Sequence, residues 1–185
     1  MLNIFSSYLH ENIFNLDNKK IKKHILNIKS KDKGRTISNY GGWQSVDSIK
    51  IDKPFVSLFK QIDKSVETVE KKLNLKNKLV LGNYWCNINY FGCFNKPHNH
   101  KYSVISGVYY VDVPKNSGNL VFEQYGSAID ETYKFVNTYN EYNSCTWTVV
   151  PKENLCVLFP SHLYHYVESN LNKKERISIS FNYGF

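Results

Sequence analysis

Apolar positions along the chain change period part-way through. Ile21, Ile25 and Ile28 recur at helical spacing, behind a possible cap at Asp17 or Asn18 and ahead of a lysine-rich stretch before Gly34. A longer stripe of Phe55, Leu58, Phe59, Ile62, Val66, Val69 and Leu73 follows Asp52 and Pro54, and predicts a second helix to about Leu75. Between the two, Ser38-Asn39-Tyr40-Gly41-Gly42-Trp43-Gln44-Ser45 reads as a turn-forming segment. From Leu79 the pattern shortens to β-rich runs broken by turn residues. Strands are expected over 79–91, 103–112, 119–124, 145–150, 155–159, 163–168 and 176–183, with turns at 115–118 and 151–154. The stretch from Gly126 to Ser144 has little periodicity and is expected to be a long loop, a common form of substrate lid. Helices followed by many short strands predict a mostly-β sandwich or barrel with the helices packed on one face.

At 185 residues the chain suits a single domain spanning 1–185, helical over 1–78 and β over 79–185. No apolar run is long enough to span a bilayer, and the first residues lack the signature of a signal peptide, so a soluble cytoplasmic protein is expected. Cys86, Cys93, Cys145 and Cys156 show no CxxC spacing and read as reduced thiols rather than zinc ligands or a disulfide framework. A net charge of +8 raises the question of nucleic acid. The excess is almost all lysine, with Arg35 and Arg176 the two arginines, whereas sequence readout and phosphate clamping favour arginine. A solvated lysine surface is the simpler account, and no nucleic-acid partner is expected.

Three of the six histidines carry the candidate chemistry. In Pro97-His98-Asn99-His100, an extended backbone points both imidazoles to one face. An HxH pair alone says little. His165, at the start of a distant strand, could complete one face of an octahedron and leave positions open for a ligand and oxygen, the facial-triad geometry of non-haem iron(II) sites. His162 competes for that place, but it falls in the turn after Pro160, so His165 is preferred. Arg176 and Ser178 share a face of the last strand, where a guanidinium can grip a carboxylate in bidentate fashion and a hydroxyl can add a further bond. Trp43, Trp85, Trp147 and most tyrosines read as barrel core and rim.

These pieces, in this order, resemble the 2-oxoglutarate and iron(II)-dependent oxygenase superfamily, in particular its small phage and bacterial members. The resemblance rests on Trp85-Cys86-Asn87, the HxH segment, Ser106-Gly107-Val108-Tyr109-Tyr110-Val111, Ser117-Gly118-Asn119-Leu120-Val121-Phe122, Leu158-Phe159-Pro160-Ser161, His165-Tyr166-Val167 and Arg176 to Asn182. The segment at 38–45 also looks like the family's N-terminal part. The resemblance implies a double-stranded β-helix, or jelly roll, with metal in its mouth. It implies iron(II) on His98, His100 and His165, and 2-oxoglutarate with its distal carboxylate on Arg176 and Ser178. Tyr110 falls where prolyl-hydroxylase-like members place a tyrosine on that carboxylate, and Asn87 and Asn89 are candidates for lining the cosubstrate pocket. Dioxygen is the co-reactant and a C–H bond of a peptidyl or small-molecule substrate is the target. A phage-encoded origin is compatible with the resemblance.

One departure matters: the superfamily usually has Asp or Glu where this chain has His100. Three neutral imidazoles leave iron formally +2, and a 2-oxoglutarate dianion then gives a neutral centre. Imidazole also suits zinc, nickel and copper. Asp112 is near in sequence but is not expected to reach the metal. Three other readings compete. A cupin-like three-histidine metal protein would account for Gly92 five residues before His98, but 101–105 lacks the expected glutamate and Arg176 would have no task. A catalytically silent β-helix module would account for His100. A nucleic-acid demethylase of the same superfamily would need a second arginine after Arg176, and the sequence has none there.

Overall fold

A computed structural model describes residues 6–124 and 136–185. In chain order the elements are β1 (His10–Ile13), α1 (Asn18–Lys29), β2 (Asn39–Tyr40), β3 (Trp43–Gln44), a 3-10 turn (Lys53–Phe55), α2 (Val56–Leu73), β4 (Val80–Asn89), β5 (Phe94–His98), β6 (Ile105–Asp112), β7 (Leu120–Glu123), β8 (Thr146–Val149), β9 (Leu155–Pro160), β10 (Tyr164–Val167) and β11 (Arg176–Gly184). Asp17 caps α1, its carboxylate accepting from the Lys19 N–H at 3.1 Å. α2 follows a 3-10 turn that holds Pro54, and it ends on Asn74 in the left-handed region. Of the loop expected from Gly126 to Ser144, residues 126–135 lie outside the described residues, and 136–144 form bends and a turn.

The strands make two antiparallel sheets. The larger runs β1-β9-β6-β11-β4-β3 and the smaller β2-β5-β10-β7-β8. They face one another as a jelly roll, and both helices pack on the outer face of the larger sheet. Strand alternation explains the layering. On β11, Ile177, Ile179, Phe181 and Tyr183 join Tyr84, Cys86 and Ile88 of β4 and Tyr109 and Val111 of β6 beneath the helices. From the helices come Ile21, Ile25, Phe55, Leu58, Phe59, Ile62, Val66 and Val69, all 3% exposed or less. Each such side chain contributes roughly 1.5–3 kcal/mol by leaving water. A smaller apolar layer of Leu120, Phe122, Val149, Leu155, Val157 and Phe159 fills part of the space between the sheets.

Alternation sends the opposite set inward. From β11 these are Arg176, Ser178, Ser180 and Asn182, and from β4 they are Trp85, Asn87 and Asn89. The larger sheet therefore has one apolar face and one largely polar face, although residues of both are buried. Four strands were not expected from the pattern. β1 reads His-Glu-Asn-Ile and is held to β9 by main-chain pairing, with Ile13 left 59% exposed. β2 and β3 are two residues each. β5 contains Pro97, which cannot donate to a ladder. It is accommodated because the pairing with β10 slips between His98 and Asn95.

Gly107 marks a close approach of β6 to its neighbours. A Cβ there would lie 2.5 Å from the Phe181 ring and 2.8 Å from Leu158. Gly107→Val should overpack this point and lower unfolding free energy by about 1–3 kcal/mol, read from urea denaturation; an unchanged midpoint would contradict it.

Candidate metal centre

Two strands of the smaller sheet bring His98 and His165 directly opposite one another. Because the register slips at Lys96-Pro97, both His98 and Asn95 face the cleft, in place of the simple i, i+2 pattern. His100 lies two residues on, past the end of β5, so its position does not come from strand alternation. One nitrogen from each of the three rings lies within 4.8 Å of the others. The ring centroids are 4.4 Å apart for His98 and His165, and 5.1 Å for each pair involving His100. Exposed His162 is not in the group, and Asp112 is engaged by Lys22 at 2.5 Å.

Two of the rings have a fixed tautomer. His98 Nδ1 donates to the Lys96 carbonyl at 2.7 Å, and His165 Nδ1 donates to the Leu163 carbonyl at 2.9 Å. Nδ1 therefore carries the proton and Nε2 the lone pair, the usual way a ligand imidazole is oriented. Burial disfavours the imidazolium of all three. It lowers His98, takes His100 down to about 4, and takes His165 down to about 3, with proximity to His98 adding to the last two. Three neutral nitrogen donors converging on one point fit iron(II), and equally zinc, nickel or copper.

The same cleft is lined by Arg176, Ser178, Tyr110, Asn87 and Asn89. The sheet register assembles them: Arg176 opposes Asn89, and Ser178 opposes Asn87 on one side and Tyr110 on the other. Arg176 is 2% exposed, and its Nη1 donates to the carbonyls of Ser117 and Gly118 at 2.8 and 2.9 Å. Gly118 makes this close packing possible, since its φ is +88° and a Cβ would lie 2.1 Å from the Glu168 carbonyl oxygen. Arg176 Nε and the neighbouring Ser117 Oγ are buried with no hydrogen-bond partner among the described residues. The other arginine, Arg35, pairs with Asp47, whereas no carboxylate among the described residues makes an ion pair with Arg176. Burial pushes the Tyr110 hydroxyl up to about 12, with Arg176 opposing the shift, so it stays protonated.

Further lining residues escaped the sequence reading. Ser180 and Trp85 continue the inward rows of β11 and β4, so alternation could have found them. Trp85, read as core or rim, stands 5.6 Å from the His100 ring. Asn95 had no signal because β5 was not expected, and Ser38 precedes the two-residue strand β2, which leaves no periodic trace. Trp147 lies on the edge strand β8 and is 45% exposed.

Residues 83–182 match the family described as "Putative 2OG-Fe(II) oxygenase". The chain belongs to this family. No curated protein sequence matches it. Solved structures share the fold of this oxygenase at low identity. A prolyl-4-hydroxylase from Pseudomonas putida superposes with a TM-score of 0.67 at 13% identity, covering 95% of this chain and 91% of that one. A viral collagen prolyl hydroxylase from Paramecium Bursaria Chlorella virus-1, in its 2OG complex, gives 0.61 at 11% identity, with coverages of 96% and 97%. HygX from Streptomyces hygroscopicus, with nickel and 2-oxoglutarate bound, gives 0.65 at 9% identity, with coverages of 96% and 83%. No helix among the described residues of the oxygenase is long and apolar enough to cross a membrane.

The depressed histidines give a pH signature. Unfolded histidine titrates near 6.5, so below that pH the unfolded chain binds more protons than the folded one and stability falls with pH. Chelator-stripped protein should lose up to about 1.4 kcal/mol per pH unit for each such histidine between about pH 6.5 and 5. Thermal melts across that range, compared with a His100→Asn, His165→Asn double variant, measure it; the variant's profile should be flatter. Equal slopes would count against neutral imidazoles packed together.

Proposed function

We propose that the protein is an iron(II)- and 2-oxoglutarate-dependent dioxygenase that hydroxylates a peptidyl or small-molecule substrate. In this reading His98, His100 and His165 hold the metal and Arg176 holds the distal carboxylate of 2-oxoglutarate. The observation that carries it is the Arg176 guanidinium, buried and with no carboxylate ion-paired to it among the described residues, in the same cleft as three convergent neutral imidazoles. A buried charge is costly unless it is compensated, and a carboxylate supplied by a ligand compensates it.

The chain's own groups have separable tasks. The Ser117 and Gly118 carbonyls occupy one end of the guanidinium and orient the rest toward the cleft. Ser178 and the protonated Tyr110 hydroxyl each offer an O–H donor to the same carboxylate. Asn87 and Asn89 already donate through their amide nitrogens, to Ser180 Oγ at 3.0 Å and Asn95 Oδ1 at 3.4 Å. Each amide keeps one further N–H, so these two line the pocket with a donor to spare for a cosubstrate oxygen. The apolar layer of Leu120, Phe159 and Val157 keeps water from the far wall. Bound iron supplies the oxidative chemistry, in which dioxygen and 2-oxoglutarate give succinate and carbon dioxide while one substrate C–H bond becomes C–OH.

Anaerobic addition of iron(II) and 2-oxoglutarate should produce a metal-to-ligand charge-transfer band in the visible. His165→Ala should abolish it. Arg176→Met should weaken 2-oxoglutarate binding about 10- to 100-fold, the cost of losing a charge-assisted pair, while leaving metal binding in place. A band indifferent to both changes would sink the assignment.

A further inference from the structure

Three sequence stretches shared with the oxygenases each contribute a buried polar side chain that the proposed reaction does not use: Ser106, Ser161 and Asn182, 1%, 1% and 6% exposed. They form one hydrogen-bonded line. Ser106 Oγ donates to Asn182 Oδ1 at 2.7 Å, and Asn182 Nδ2 donates to Asn83 Oδ1 at 2.8 Å. Ser106 and Ser161 hydroxyls are 2.7 Å apart. A hydroxyl has one proton, and that of Ser106 goes to Asn182, so Ser161 is the donor in this pair. The line crosses β4, β11 and β6 along their register, Asn83 opposite Asn182 and Asn182 opposite Ser106, and ends in the turn between β9 and β10.

That turn is where His100 is anchored. Its backbone N–H donates to the Ser161 carbonyl at 2.9 Å, and the Asn99 side chain reaches the His162 carbonyl at 3.4 Å. The contrast with the other two histidines is informative. His98 and His165 stand on paired strands, and each has its ring nitrogen fixed by a carbonyl two residues earlier. His100 is off the strand, just before Tyr102 in the left-handed region, and no hydrogen bond from the described residues reaches its ring. Among the described residues, the Ser161 carbonyl holds its own main chain, the Asn99 contact holds the neighbouring residue, and ring packing against Trp85 and the other imidazoles positions its side chain.

We infer that the Asn83–Asn182–Ser106–Ser161 line is the positioning device for His100, tying the ligand that no strand holds to the framework of the larger sheet. The inference rests on His100 being a ligand. Removing the Ser106 hydroxyl leaves the Ser161 proton and the Asn182 oxygen unpaired in a dry interior. The turn keeps its main-chain bonds, the Ser161 N–H to the Val104 carbonyl at 3.1 Å and the pairing of Pro160 with Ile105, but loses its side-chain tether to β6, and His100 shifts with it, while His98 and His165 keep their own ladders.

Cobalt(II) binding to chelator-stripped protein, followed by its visible d–d absorption, tests this. Ser106→Ala should weaken cobalt at least about tenfold, as loss of a supporting contact to a ligand does, and should shift the d–d bands toward those of His100→Ala. In a His100→Ala background the same substitution should cost nothing more, because its effect passes through His100. Ser161→Ala, which keeps the carbonyl and removes the hydroxyl, should repeat the result and serves if Ser106→Ala does not fold. Equal losses in both backgrounds, or an unchanged dissociation constant, would overturn the inference. A parent protein without cobalt bands, or a His100→Ala variant matching the parent, would overturn the ligand reading instead.

Discussion

A strand has two faces, and on β11 and β4 both are covered. That constraint governs the molecule. The row Ile177, Ile179, Phe181, Tyr183 goes under the helices, so the row Arg176, Ser178, Ser180, Asn182 must go into the barrel. Desolvating so many polar groups is unfavourable. The apolar burial between α1, α2 and the sheet offsets it, so the helical layer is what allows the barrel interior to remain polar. Helices and cleft are two sides of the same nine or ten residues per strand.

Inside that interior the electrostatics are one-sided. The histidines are neutral because burial disfavours their charged form, and the guanidinium is positive with no ion-paired acid among the described residues. Every fixed preference of the cleft is thus for a species it does not itself contain: a cation for three lone pairs and an anion for one buried positive charge. A metal ion with a dicarboxylate satisfies both at once, and their charges cancel most of the residual field. This is why an all-imidazole set is tolerable here, although a carboxylate is the commoner third donor in such sites.

Much of this was legible in the primary sequence, for reasons that differ by element. The α2 stripe and the alternation of β4, β6 and β11 are set by burial on defined faces, which leaves a periodic trace. The edge strand β1 and the two-residue strands β2 and β3 leave none, since main-chain pairing holds them whatever their side chains are. β5 was hidden by Pro97, and with it Asn95 in the cleft wall. His98, His165 and Arg176 could be picked out because their residue types are rare and their order along the chain is informative. The manner in which His100 is held could not, because it depends on a carbonyl 61 positions further along the chain.

The three histidines stand on or beside the smaller sheet, and the arginine stands on the larger one. On the proposed assignment, the span between metal and clamp is therefore a gap between two sheets, kept open by the thickness of the layer that contains Leu120, Val157 and Phe159. The chain length of the dicarboxylate that fits is, in that sense, a ruler made of core side chains. Methylenes added or removed there would rescale the ruler without touching any group that binds.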